Sequence, residues 1–172
     1  MKQNLIGQLL WVKTLSGNNG RTYIYDIEID PWDNFYVAGS FTGTIDFDPS
    51  VSGVENRTAA SNDIFICKFD NDGNLIWAVQ IGGIHNDGAR SLIIDDNGDI
   101  KLVGYFQSTV DFDPDPIDSV MLVGPANGNW GNEAFILKLT GNGDFVWVRH
   151  IESTGPQAVS YTHLTLPTRT RV

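Results

Sequence analysis

The chain has a single cysteine, Cys67, in 172 residues. An internal disulfide is impossible. The lone thiol sits in the run IFICKF with no histidine motif beside it, so it reads as a small buried hydrophobe rather than a nucleophile. Positive charge is also scarce: 11 lysines and arginines face 21 acids, for a formal charge of −10. Such a surface repels phosphates and argues against nucleic acid as a partner. The aromatic residues lie within apolar runs rather than among basic ones, which argues against a stacking platform for single strands. No apolar run approaches the length of a membrane span. The opening MKQNLIGQLLW lacks the long apolar stretch and small-residue cleavage site of an export signal. Helix-length amphipathic patterns are missing, because Gly and Asn interrupt every window long enough to carry one. There is no P-loop, GxSxG, HExxH or dinucleotide fingerprint.

What the chain does have is repetition. FYVAGSFTGTIDFDP at 35–49 returns as IKLVGYFQSTVDFDP at 100–114, an offset of 65 residues. DIFICKFDNDGNLIW at 63–77 returns as EAFILKLTGNGDFVW at 133–147, and WVKTLSG at 11–17 returns at 77–83 and 147–153. A period of this length means several copies of one supersecondary unit.

Each unit carries four short apolar segments separated by turn signals. They lie at 23–30, 34–41, 63–69 and 74–81, and again at 89–95, 99–106, 133–139 and 144–151. In the second segment Phe35, Val37, Gly39 and Phe41 alternate, as do Ile100, Leu102, Gly104 and Phe106; that is the period of a strand packed on one side. In the fourth, Leu75, Trp77, Val79 and Ile81 are expected to share a face. DDNGD at 95–99, DNDGN at 70–74 and TGNGD at 140–144 place Gly where a tight hairpin needs positive φ; DPWDN at 30–34 is a variant with Pro31 pre-setting φ. The long segments 42–62 and 107–133 are expected to extend the second strand through TIDF and TVDF and return through VENRT and VMLV.

Four antiparallel strands per repeat read as blades of a β-propeller, since one meander sheet cannot bury both faces alone. The expected fold is all-β: a partial propeller of two four-stranded antiparallel blades plus an outer strand, about 5–15, of a preceding blade. Residues 1–21 would end that preceding blade, 22–87 would be blade one with its connection, and 88–158 blade two. The stretch DIFICKF with GNLIW at 63–77, and IIDDNGDIKLVGYF at 93–106, resemble the bacterial β-propeller repeat family labelled SBBP. The following TVDFDP at 109–114 is similar to runs in large secreted bacterial proteins with such repeats. The resemblance covers residues 4–153. It implies a secreted or cell-surface repeat protein that acts as a scaffold or as a recognition module for carbohydrate or protein, with neighbouring blades as its structural partners. It carries no catalytic motif.

The sharpest chemical signal is aspartate, which supplies 17 of the 21 acids. Asp46 and Asp48, and Asp111, Asp113 and Asp115, have the alternate spacing that points carboxylates of an extended chain to one side, as a calcium site would require. The competing reading is that these side chains pin turns by accepting backbone amides, with Pro49 and Pro114 ending the strand. No run has the twelfth-position Glu of an EF-hand loop. Trp11, Trp77 and Trp147 recur once per unit, as packing residues between units do. Trp130, in the loop GPANGNWGNE, is the candidate for stacking on a sugar or peptide, while Trp32 is expected to cover a sheet edge. His85 and His150 lack spaced partners, and the sequon Asn56-Arg57-Thr58 reads as incidental. Catalytic residues and bound cofactors are not expected, calcium aside. The alternatives are a propeller-class carbohydrate-active enzyme, which would need acid–base groups converging on one axis, and calcium-dependent adhesion.

The ends break the pattern. GQLLW at 7–11 matches GNLIW at 73–77, so the first copy starts mid-unit. VSYTHLTLPTRTRV at 159–172 matches no part of the repeat and resembles the translation of a sequencing adapter read through after a short insert. That tail is expected to be non-native and disordered, with the natural sequence stopping near Gln157 or Ala158.

Overall fold

The computed structural model describes residues 2–3, 9–124 and 131–151; Trp130 and the tail at 159–172 lie outside them. The described residues form strands and no helix. In chain order the strands are β1 (Lys2–Gln3), β2 (Leu9–Trp11), β3 (Ser16–Ile29), β4 (Phe35–Asp46), β5 (Asn56–Phe69), β6 (Leu75–Ile81), β7 (Gly88–Ile94), β8 (Ile100–Phe106), β9 (Thr109–Asp111), β10 (Met121–Val123), β11 (Glu133–Leu139) and β12 (Phe145–Ile151). Two four-stranded sheets carry the fold, in the orders β3-β4-β5-β6 and β7-β8-β11-β12; β1-β2 and β9-β10 are two-stranded ribbons. Among the described residues all pairings are antiparallel and no sheet closes on itself.

The hairpin turns use the chemistry the sequence announces. In each, the first residue's carbonyl accepts the N–H three positions on: Asp33 to Asp30, Gly73 to Asp70, Gly98 to Asp95 and Gly143 to Thr140. The residue at that fourth position has positive φ, from 64° at Asp33 to 90° at Gly143, a conformation that costs glycine least. The Oδ1 atoms of Asp30, Asp70 and Asp95 accept the N–H groups two and four residues on, and the Thr140 hydroxyl takes the same two bonds. These bonds satisfy donors the ladder leaves unpaired.

In the first sheet β4 and β5 are covered on both faces, while β3 leaves Tyr23, Ile24, Tyr25, Ile27 and Ile29 exposed. Tyr36, Ala38, Ile64, Ile66 and Ile81 pack with Leu92, Ile100, Leu102, Phe106, Phe135 and Leu137 of the second sheet in one core. On the opposite face Phe41, Phe65, Cys67 and Phe69 pack with Leu15, Phe35 and Val37 in another. Full burial of each such side chain contributes roughly 1.5–3 kcal/mol, so the sheets are held by stacking more than by their edges. The expectation of a strand packed on one side therefore fails for β4 and holds for β8, whose burial alternates strictly. Leu75 also departs from the expected face. The register shifts between Lys68 and Phe69, pairing them with Trp77 and Leu75; this bulge turns Leu75 into the second core while Trp77 and Val79 face the first.

The contact between successive units repeats. Trp11 lies edge-on to Phe35 and closes on the turn glycine Gly73, where an added Cβ would lie 3.1 Å from its ring. Trp77 closes on Gly143 of the next unit, 3.5 Å by the same measure, and lies edge-on to Tyr36 of its own sheet. Trp32 likewise lies over Gly98, and Lys68 Nζ donates to the Gly141 carbonyl, 3.2 Å away. Trp147 is half-buried, with the Arg149 guanidinium 5.5 Å from its ring centroid.

The first strand starts earlier than the apolar pattern indicates. β3 begins at Ser16, pairing with Asp46 at the far end of β4. Gly17 and Gly20 permit this, because a Cβ there would come within 2.5 Å and 2.7 Å of the Thr44 and Thr42 carbonyl oxygens. Within the expected outer strand at 5–15, the described part carries β2 at Leu9–Trp11.

Candidate functional site

Each four-stranded sheet extends at the end opposite its tight turns, as the sequence indicates. In the first sheet β4 passes a bulge at Gly43 (φ 65°) and runs on to Asp46, returning through β5 from Asn56. In the second, Ser108 (φ 64°) interrupts the run, and the extension becomes the separate ribbon β9–β10.

The DFDP runs form the tips of these extensions, and both are built alike. Asp46 Oδ1 accepts the N–H groups of Asp48 and Glu55, at 3.0 and 2.8 Å. Asp111 Oδ1 accepts those of Asp113 and Val120, at 3.1 and 2.9 Å. Between them the aromatic of each run turns inward. Phe47 is buried against Phe41 and Phe65, and Phe112 against Phe106 and Phe135. Asp48 Oδ1 accepts Ser50 N–H, Asp113 Oδ1 accepts Asp115 N–H, and Asp115 Oδ1 accepts Ile117 N–H. The candidate metal ligands thus cap the backbone of their own loops. They divide between two tips, one on each sheet, and among the described residues no group of three or more Asp, Glu, His or Cys side chains is placed to hold a metal ion.

The second tip stands beside β6, the edge strand of the first sheet, and the space between is a groove. One part, about 380 Å³, is lined by Arg57, Ala78–Gly82 and the run 111–116 apart from Phe112. An adjoining part of about 400 Å³ shares Val79 and residues 113–116 and continues to Asp118 and to the β11–β12 turn at Asn142–Phe145. Asp111, Asp113, Asp115 and Asp118 line it from the tip, Asp144 from the β11–β12 turn and Arg57 from β5. The Arg57 guanidinium pairs with Glu55 at 2.6 Å and donates to the Ala78 carbonyl at 3.2 Å. Gln80 donates from Nε2 to the Thr58 carbonyl and to Asp63 Oδ2. Burial pushes the Asp63 carboxyl above its ordinary value, with the Gln80 bond acting against it.

The spacing of Asp111, Asp113 and Asp115 places these three in the groove; Asp46 and Asp48 lie at the other tip. Arg57, Gln80, Asp118 and Asp144 were not legible as site residues, because they come from different sheets and no local pattern joins them. The open groove, the carboxylates and the unpaired side of β6 suit a ligand that donates hydrogen bonds or carries positive charge. No family model matches the chain, and no curated protein is similar to it.

Proposed function

We propose that the chain is part of an extracellular repeat protein of the SBBP-like β-propeller type, in which the meander sheets are blades and the tip side of the blades recognises a partner. Two observations support the blade reading: the four-stranded meander recurs, and the same tryptophan-on-turn contact joins β2 to the first sheet and the first sheet to the second. The reading is non-enzymatic. The carboxylates at the tips recur at equivalent positions and spend their Oδ1 atoms on their own loops.

The groove beside β6 carries the recognition reading. Five carboxylates in its lining favour a cationic ligand, and the edge strand β6 can accept an extended segment by backbone pairing. The partner is accordingly an extended protein segment bearing Lys or Arg. Fluorescence anisotropy with Lys/Arg-rich and Glu-rich peptides of equal length tests this. Binding should be confined to the basic peptides, weaken with salt, and drop at least fivefold in Asp113→Asn/Asp115→Asn. Equal binding of both peptides, or none, would refute it. A hit on a glycan array without peptide binding would assign the groove to carbohydrate instead.

A further inference from the structure

We propose that Asp63 and Asp87 form a proton-operated latch at the junction of the two four-stranded sheets, closed while the pair holds a proton and strained once both carboxyls ionise. The latch is independent of the peptide-binding reading.

Asp87 lies in the connection from β6 to β7 and is wholly buried. Its N–H donates to the Asn62 carbonyl at 2.7 Å. Its carboxylate accepts Gly83 N–H at 2.8 Å and Gln107 N–H at 2.9 Å. One residue thus joins the first sheet, through its backbone N–H, to the connecting loop and the end of β8, through its carboxylate. Asp63, on β5, is 4% exposed. Its Oδ2 accepts from Gln80 at 2.6 Å, while Oδ1 is buried with no hydrogen-bond partner. A carboxylate oxygen buried without a donor is costly; protonation of Asp63 relieves that cost. The two carboxyls flank one peptide, since a Cβ on Gly82 would lie 2.6 Å from Asp63 Oδ1 and Gly83 donates to Asp87.

The ion pairs Arg57–Glu55, Lys68–Asp30, Lys101–Asp95, Lys138–Asp95, Lys138–Asp99 and His150–Glu133 include neither carboxyl. The near polar neighbours are the amides Asn62, Asn86, Gln80 and Gln107. Other charged or titratable groups near the junction include His85 in the same loop, Tyr105 of β8 against Gly88, Arg57 on β5, Arg90 on β7, and the Glu133–His150 pair of β11 and β12. Arg57 is engaged with Glu55 and Ala78, Arg90 stacks on Tyr25 and Tyr105, and His150 Nε2 lies 3.0 Å from Glu133.

Burial pushes the Asp87 carboxyl up to about 7 despite its two backbone bonds, and the Asp63 charge adds to the rise. The folded chain therefore holds this proton more tightly than the unfolded chain, whose carboxyl titrates near 3.8. The stabilisation is complete below that lower value and is lost as pH rises through about 7. One linked proton raises the unfolding constant by at most about tenfold per pH unit across that window. The strain falls on Gly83, which packs against the Thr109 carbonyl at the root of the β9–β10 ribbon.

Urea unfolding from pH 5 to 8 tests the latch in the native chain, Asp63→Asn and His150→Gln. The first substitution keeps an oxygen for Gln80 and removes the neighbouring charge. The second copies Gln80 at the equivalent place in the second sheet and removes the histidine. The native chain should lose stability over this range, with its unfolding constant rising several-fold between pH 6 and 7. His150→Gln should keep that slope, and Asp63→Asn should reduce it. A native chain whose stability is flat or rises from pH 5 to 8 would overturn the latch, as would an undiminished slope in Asp63→Asn. Should Asp63→Asn not fold, carbon-detected NMR of the native Asp87 carboxyl decides: titration near 7 supports the latch, and titration below 5 overturns it. Recovery of the lost stability at pH 8 by calcium alone would make the pair a cation site and also overturn it.

Discussion

Replacing Asp111 by Asn and by Ala separates the two readings of the DFDP runs. Asp111 Oδ1 accepts two backbone N–H groups, from Asp113 and Val120. Hydrogen bonds to a charged acceptor contribute about 1.5–3 kcal/mol each, reduced here because Asp111 is only partly buried. Alanine removes both, so Asp111→Ala should cost about 2–4 kcal/mol. Asparagine keeps an oxygen in the same place, and both donors fix its orientation, so Asp111→Asn should cost about 1 kcal/mol as charged bonds become neutral ones. For a chain of this size, each kcal/mol moves the midpoint by roughly 2–4 °C, which puts the alanine variant about 4–16 °C below the native chain. The assay is thermal and urea unfolding followed by tryptophan fluorescence, in EDTA and in millimolar calcium. If the carboxylates pin the loop, the ranking native, Asn, Ala is the same in both buffers. An Asn variant as unstable as Ala, or calcium stabilisation of the native chain that the Asn variant lacks, would refute that reasoning.

Three further outcomes follow from the packing. Phe112→Ala empties a site between Phe106 and Phe135 and should cost about 3–5 kcal/mol in urea unfolding. Phe47→Ala should cost a similar amount, and because the two rings occupy separate cores the double variant should be additive within about 0.5 kcal/mol; strong coupling would mean the tips are not independent plugs. Gly104→Ala places a Cβ 2.2 Å from the Gly88 carbonyl oxygen, so β7 must shift; loss of soluble folded protein or a fall of several degrees in Tm is expected, and an unchanged Tm would show that the β7–β8 contact is looser than drawn. Cys67 is fully buried and its thiol is pushed well above the usual value by that burial, so a disulfide reagent should label it only in denaturant; rapid labelling of the native chain would contradict the packing of β5.

The elements most legible in sequence were those fixed by local chemistry. The Gly of DNDGN, DDNGD and TGNGD marks the positive-φ position of each hairpin turn, and in DPWDN Asp33 adopts it instead. The alternation of Ile100, Leu102, Gly104 and Phe106 translated directly into β8, which faces a neighbour on one side. The hairpin extensions followed from TIDF and TVDF. The early start of β3 was not legible, because its pairing to Thr42 and Thr44 depends on two glycines that read as a loop. Nor was the bulge that moves Leu75 to the other core. The groove was half legible: Asp111, Asp113 and Asp115 stood out as a run, but Arg57 and Gln80 reach it only because β5 and β6 lie beside a loop more than 30 residues downstream.

By itself, then, the sequence determined the period, the strands and their turns, and the aspartates that close each tip, because these rest on side-chain alternation, φ preferences and bonds spanning a few residues. The tertiary structure decided what stacking alone can decide. It packed apolar side chains on both faces of β4 and β5 and set Trp77 on Gly143. It also placed Asp63 and Asp87, 24 positions apart, on either side of one peptide. Their charge is ordinary in an extended chain and becomes costly only where the folded sheets exclude water.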